Sequence, residues 1–259
     1  KDNEIDCTAV MAGDGQMAPH DLERVVTPII EGRVDYVKGN RLFYPGVATR
    51  MPRYRLVGNA MLTFLTKFAT GYWQVVDPQC GYTAISKEAL SVIPIKDMVR
   101  GYGYNADVLN MLNMQNFRVA DVLVEPIYGE EQSKIKLRKY IPSVSWLLVR
   151  LFFRRLIKKY LLKDFNPLCL SYMVSFCLLF PIALPLAIRI FYVYFFLDES
   201  FPQTSMLCFM FASIAGIQIL LSAIQYDMLD NKEIFIHERF LGQKFYCHDV
   251  NSFDEEEIV

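Results

Sequence analysis

Two stretches of this chain carry no charged side chain over a length that could cross a bilayer, and no other feature restricts its fold as strongly. Leu168 to Ile188 is 21 residues without a charge and runs on through Phe191 to Phe196, with Arg189 the one interruption. Ser205 to Ala223 is a second such run. A helix needs about 20 apolar residues to span the hydrocarbon layer, so both stretches read as spans, joined by the short acidic link Asp198-Glu199-Ser200. Pro181 and Pro185 predict a kink in the first, tolerated where neighbouring groups satisfy the freed carbonyls. The competing reading is a helical hairpin buried in a water-soluble core. In a chain of 259 residues that is 53% hydrophobic, that reading leaves little polar surface to face water.

Charge is balanced overall and segregated locally. The 27 Lys and Arg against 28 Asp and Glu give a net charge of -1, which offers no basis for a nucleic-acid partner. Yet Gln132 to Lys163 holds ten basic residues and no acidic one, while from Asp227 onward nine acidic residues face three basic ones. The cationic flank before the first span predicts, by the positive-inside rule, an amino-terminal domain and a tail in the cytoplasm, with the link between the spans outside. No cleavable signal peptide is read at the start. Within Pro142 to Lys163, Arg150, Arg154 and Lys158 recur every four residues, and Leu148, Leu151, Phe152 and Leu156 lie on the opposite side of a helix. This predicts a helix lying in the membrane interface, apolar face down and cations toward lipid phosphates. The alternative is a solvated basic face on a soluble helix.

Residues 1–131 read as α/β. Ile5 to Met11 is a short apolar strand that runs into the turn Gly13-Asp14-Gly15. Leu22, Val25, Val26, Ile29 and Ile30 follow at helical spacing and Gly32 stops them. Further strands are expected at Asp35 to Lys38, Tyr82 to Ile85 and Phe117 to Val124, with helices at Tyr54 to Thr70 and near Ala106 to Met114. Alternation of this kind predicts a largely parallel sheet covered by helices. The six cysteines form no CxxC pair or ligand-like cluster, which points away from a zinc site or a disulfide scaffold and toward a reducing compartment.

Chemistry concentrates at Asp14 and Gln16. A carboxylate and an amide oxygen two residues apart, in a loop at the carboxyl edge of a sheet, can reach one hard divalent cation. Asp-Gly is equally a common turn. Arg41, Arg50, Arg53 and Arg55 supply planar donors suited to phosphate, or else a solvated polar loop. Asp77 precedes Pro78 in a glycine-containing turn. Asp107 is either a site acid or a first-turn helix residue stabilised by the helix dipole.

The run Val10 to Leu22, VMAGDGQMAPHDL, resembles the VMDADLQHPPE stretch of family 2 glycosyltransferases of the polyprenyl-phosphate sugar synthase type, dolichyl-phosphate mannose synthase among them. Asp14 matches the second Asp of that motif and Gln16 its Gln, which in the family bind the metal and the nucleotide-sugar diphosphate; Ala12 replaces the first Asp. KGNRL (Lys38 to Leu42) is similar to the family's GSR segment, and Arg50 to Asn59 stands where the family has its basic stretch before a helix. DPQCGYTAISKEAL (Asp77 to Leu90) resembles DPTSGFRAYRREVL, and GYGYNADVLNML (Gly101 to Leu112) the glycine- and aromatic-led segment whose acidic residue begins a helix.

The resemblance implies a partial GT-A, Rossmann-like α/β domain over 1–131, a basic linker and interfacial amphipathic helix over 132–165, a transmembrane hairpin over 166–226 and an acidic cytoplasmic tail over 227–259. It implies an inverting transfer of a sugar from a nucleoside diphosphate to a polyprenyl phosphate at the cytoplasmic leaflet, with Mg2+ or Mn2+ held by Asp14 and Gln16. Asp77 and Asp107 then stand as catalytic candidates, with Arg41, Arg50, Arg53, Arg55 and Gln16 toward the substrates. The family's nucleotide-gripping first half is not recognised in the thirteen residues before Asp14. A processive polysaccharide synthase fragment and a non-catalytic membrane scaffold are the rival readings. Membrane lipid and further copies of the chain, through the exposed hairpin, complete the expected partners.

Overall fold

A computed structural model of the chain describes residues 5–13, 15, 17–43, 53–101, 103–127, 137–163, 165–196 and 202–237, with only the backbone at 53–57, 59 and 137–141. Strand β1 (Cys7–Val10) leads through helix α1 (Leu22–Ile30) to β2 (Tyr36–Asn40), then through α2 (Arg53–Thr70) to β3 (Thr83–Ser86). Helices α3 (Lys87–Val92) and α4 (Tyr104–Met114) precede β4 (Val119–Leu123). Each predicted strand and each predicted helix of this part is present. The short α3 was not foreseen; Ser86 caps it by accepting a bond from the Ala89 N–H at 3.2 Å. Gly32, at φ +69, ends α1 in the left-handed conformation that glycine adopts without a Cβ penalty.

The sheet corrects the expectation of largely parallel pairing. Its order is β1-β3-β2-β4, and β3 runs antiparallel to both β1 and β2, whereas β2 and β4 are parallel. Three strands point one way and a reversed fourth lies between two of them, so the sheet is mixed. The segment between α2 and β3 causes this. Residues 71–82, with Tyr72, Trp73, Val75 and Cys80 buried, carry the chain back beside the end of β2, so that Lys38 pairs with Thr83. Alternation of strand and helix types in a sequence does not encode that return.

Val25 and Ile29 of α1 pack on one face of the sheet against Val37, Ala84 and Val122. Leu109 and Leu112 of α4 pack on the other with Tyr36, Ile85 and Val119. The chain returns to this sheet near its other end: Phe235 bridges to Val119 in parallel, and the Ile236 N–H donates to Val119 O at 2.9 Å.

Helix α5 (Leu137–Arg155) continues as a π-helix, Leu156–Lys163. Helix α6 (Pro167–Cys177), a π-helical stretch Leu178–Ala183 around Pro181, and α7 (Leu184–Phe196) follow as one 30-residue rod. Proline removes an i to i-4 hydrogen bond, and here the backbone absorbs the loss by widening. Helix α8 (Gln203–Asp230) returns beside it; Ser175 Oγ donates to Gly216 O at 2.9 Å. Both rods are long and apolar enough to cross a membrane. The link between them, the segment 44–52 and residues 238–259, which include the acidic stretch Asp249 to Glu257, lie outside the described residues.

The expected apolar face of the amphipathic helix is overturned, while Arg150 and Lys158 of the cationic row are exposed. Leu148, Leu151, Phe152 and Leu156 are buried with Ala69 of α2, Tyr172 of α6 and Ala223 of α8, so this apolar row faces protein. Arg155 and Lys159, which follow Arg154 and Lys158 in the sequence, are buried as well. The helix also exposes a second apolar row: Trp146, 74% exposed, then Val149, Phe153, Ile157 and Leu161. With Leu, Phe and Val on two sides, periodicity alone selects neither row.

A polar network ties the second rod to the α/β domain. Asp227 accepts from Arg155 Nη1 and Nη2 at 2.6 and 2.7 Å, from the Tyr160 hydroxyl at 3.2 Å and from Trp73 Nε1 at 3.3 Å. Asn231 accepts from Lys159 Nζ at 2.8 Å and from Asn113 Nδ2 at 2.7 Å. Asp227 thus closes a helix end within the domain rather than beginning a free tail.

Candidate active site

Strand β2 ends in the site. Along it Tyr36, Lys38 and Asn40 share one face, and Gly39 faces the other way, where a Cβ would meet Val124 Cγ2 at 3.0 Å and Tyr82 O at 3.1 Å. The closeness of these chains requires glycine there. Asn40 Oδ1 then accepts the N–H of Leu42 at 3.1 Å, turning the chain so that Arg41 points back over the sheet end.

Arg41 Nε and Nη2 donate to the two oxygens of Asp77 at 2.8 and 3.3 Å, a forked ion pair. Asp77 is buried, and one of its oxygens also accepts the Gln79 N–H at 3.2 Å, which fixes the Asp77 to Cys80 turn. Two residues singled out separately in the sequence therefore form one unit. A carboxylate already committed to a guanidinium is suited to holding that guanidinium rather than to taking a proton.

Near this pair the sheet buries two further charged side chains that the sequence does not single out. Lys38 of β2 stands in register with Asp121 of β4, both buried. Lys38 Nζ donates to Asn105 Oδ1 at 2.8 Å, and Asp121 Oδ2 accepts the Val76 N–H at 2.6 Å. Asp121 Oδ1 has no hydrogen-bond partner among the described residues. Burial pulls the Lys38 ammonium down to about 8, and burial, opposed by the Val76 N–H and reinforced by Asp77, raises Asp121 to about 7. A lysine inside the strand DYVKGN and an aspartate inside VADVL were the available signals, since an apolar strand rarely buries a charge without a partner.

The other candidates fall elsewhere. Asp107 sits in the first turn of α4, fully buried, accepting from the Val99 N–H at 2.8 Å and from Arg154 Nη2. It joins α4 to α5, and among the described residues its hydrogen bonds run to Val99 and Arg154 rather than to the Arg41 and Asp77 pair. Arg53 and Arg55 start α2, and their side chains, like Arg50 as a whole, lie outside the described residues. So do Asp14 and Gln16; the flanking Gly13 and Gly15 are described, Gly15 at φ +72, beyond the end of β1. Among the described residues no group of three His, Cys, Asp or Glu could hold a metal.

Residues 5–93 match the family described as Glycosyl transferase family 2. The UDP-N-acetylglucosamine--dolichyl-phosphate N-acetylglucosaminyltransferase of Methanococcus voltae is 34% identical over 125 residues, which cover 48% of this chain and 49% of that protein. An uncharacterised protein of Methanocaldococcus jannaschii is 31% identical over 118 residues, 45% of this chain and 48% of that one. The chain spans about half the length of the curated relatives it matches. Among solved structures, the glucosyl-3-phosphoglycerate synthase of Mycobacterium tuberculosis, crystallised with Mn2+, UDP-glucose and phosphoglyceric acid, is 18% identical over 59% of this chain and 50% of that one, with a TM-score of 0.41.

Proposed function

We propose that the chain is part of a membrane glycosyltransferase that moves a sugar, with inversion, from a nucleoside diphosphate to a polyprenyl phosphate at the cytoplasmic leaflet. The observation that carries this reading is the pairing of a family 2 region with two membrane-length helices whose far end returns to the same sheet through Phe235. Both ends of the hairpin meet one domain, which supports a site held on one side of a bilayer. The relative acting on dolichyl phosphate supports the acceptor class.

In this reading Arg41, fixed by Asp77, faces an anionic group, either the acceptor phosphate or the departing diphosphate, where a preoriented donor stabilises charge. Arg50, Arg53 and Arg55 add charge from the adjoining segment. The acceptor phosphate is ionised at neutral pH and needs no strong base, so Asp77 positions and does not deprotonate. Asp14 and Gln16 offer hard oxygen atoms that suit Mg2+ or Mn2+, which would neutralise the donor diphosphate. Asp107, braced by Arg154, supports the sheet end through α4.

The test is sugar transfer from labelled nucleotide sugars to polyprenyl phosphate in membranes holding the full-length protein, with and without divalent cation. Metal-dependent transfer abolished by Asp14→Ala supports the assignment. Transfer undiminished in both Asp14→Ala and Arg53→Ala removes it.

A further inference from the structure

The helix that enters the membrane changes its winding just before it does so, and this aligns cations that an α-helix would separate. Arg154 and Lys158 are four residues apart, whereas Lys158 and Lys163 are five apart. In an α-helix five residues turn through ~500°, which leaves the two side chains ~140° apart. Leu156–Lys163 is π-helical, and its i to i+5 bonding brings residues five apart onto adjacent turns of one face. All three cations accordingly line one cleft of about 390 Å3 whose other wall includes Met111 and Met114 of α4 and one carboxylate, Asp97.

Two of the three charges in this cleft are not used by the fold. Arg154 is committed to Asp107 and Asn110. Lys158 and Lys163 are exposed, and among the described residues neither has a carboxylate within ion-pair distance. Lys163 gives one long bond, 3.4 Å, to Met114 O, and an ammonium has two further donors. Two cations thus face one carboxylate across a space large enough for a phosphodiester.

Position selects a lipid-borne phosphate over a dissolved one. Lys163 lies four residues before Pro167, where the first rod starts. Leu161, Leu162 and Phe165, the last 82% exposed, flank it, and they continue the exposed row from Trp146. Exposed apolar side chains interleaved with lysines at the foot of a membrane-length helix match the depth at which headgroup phosphates lie.

We infer that the cleft formed by Arg154, Lys158 and Lys163 binds the phosphodiester headgroup of an anionic membrane lipid, at a place separate from the Arg41 and Asp77 site. The proposal does not depend on the glycosyltransferase reading, and its test involves no sugar transfer. The purified full-length protein in neutral detergent is treated with an amine-reactive reagent in the presence of short-chain phosphatidylglycerol, short-chain phosphatidylcholine or inorganic phosphate, and labelling at each lysine is read by mass spectrometry. Protection of Lys158 and Lys163 by phosphatidylglycerol alone supports the site. Equal protection by phosphatidylcholine, equal protection by inorganic phosphate, or protection by none of the three overturns it. In native mass spectrometry the double variant Lys158→Gln, Lys163→Gln should lose its preference for phosphatidylglycerol by roughly thirtyfold; an unchanged preference contradicts the proposal.

Discussion

Arg155 and Asp227, 72 residues apart in the chain, form a two-pronged ion pair with neither side chain exposed, and this pair fastens the end of α8 to the helix that leads into α6. Removing one partner strands a buried charge, which costs about 3–5 kcal/mol. Asp227→Ala should therefore lower the thermal midpoint of the detergent-solubilised protein sharply. Arg155→Met with Asp227→Leu should cost less than either single change, and a double-mutant cycle reads the coupling.

Arg41→Lys retains the charge and loses the fork onto Asp77. Asp77→Asn retains the turn, because an amide oxygen can still accept the Gln79 N–H, and loses the charge that orients Arg41. Each should lower kcat for sugar transfer by about a hundredfold, the usual scale for losing one preoriented charge-stabilising donor, with the thermal midpoint little changed. Steady-state kinetics on the full-length protein checks this.

The buried pair Lys38 and Asp121 sets a pH dependence of stability. The folded state holds Lys38 at about 8 against 10.5 for a free lysine, so its contribution is complete above 10.5 and is lost as pH falls through about 8. Asp121 is raised to about 7 from 3.8, so its contribution is complete below 3.8 and is lost as pH rises through about 7. Both groups are charged between these values, where their summed contribution is lowest. Facing them are Asp77 and Cys80 from the turn, Arg41 from the end of β2, Asn105 from α4 and Lys67 from α2. Denaturation measured from pH 6 to pH 10 should show wild type gaining stability above about pH 8 and Lys38→Met lacking that gain.

Gly216 of α8 lies where a Cβ would meet Leu179 at 2.8 Å. Gly216→Leu should overfill the contact and cost about 1–3 kcal/mol, read as a lowered thermal midpoint. Ile214→Leu, at an exposed position on the same helix, should leave it unchanged.

The elements themselves were legible because each carries its own signal: Val25 and Ile29 at helical spacing, Gly32 as a stop, apolar runs at Cys7–Val10 and Val119–Leu123. Strand direction was not, since β3 is reversed by the buried return of residues 71–82, whose path depends on tertiary packing of Tyr72 and Trp73. The faces of α5 were also hidden. Arg155 and Lys159 look like surface cations until Asp227 and Asn231, over seventy residues later, are folded back onto them. In the site, Arg41 and Asp77 were each readable as residue types, but their pairing follows from the Asn40 turn, and Lys38 and Asp121 passed unnoticed because each is lone within its own strand. Asp107 was legible as a first-turn acid, and its partner Arg154 was not.

The most direct test of the account compares acceptors. Full-length protein in proteoliposomes is supplied with labelled nucleotide sugars and either polyprenyl phosphate or the same lipid as its free polyprenol, and label is counted in the organic extract. The account predicts that label enters the extract with polyprenyl phosphate and not with polyprenol, and that Arg41→Lys suppresses it. Equal label with both lipids, or label found only in a water-soluble or polymeric product, contradicts it.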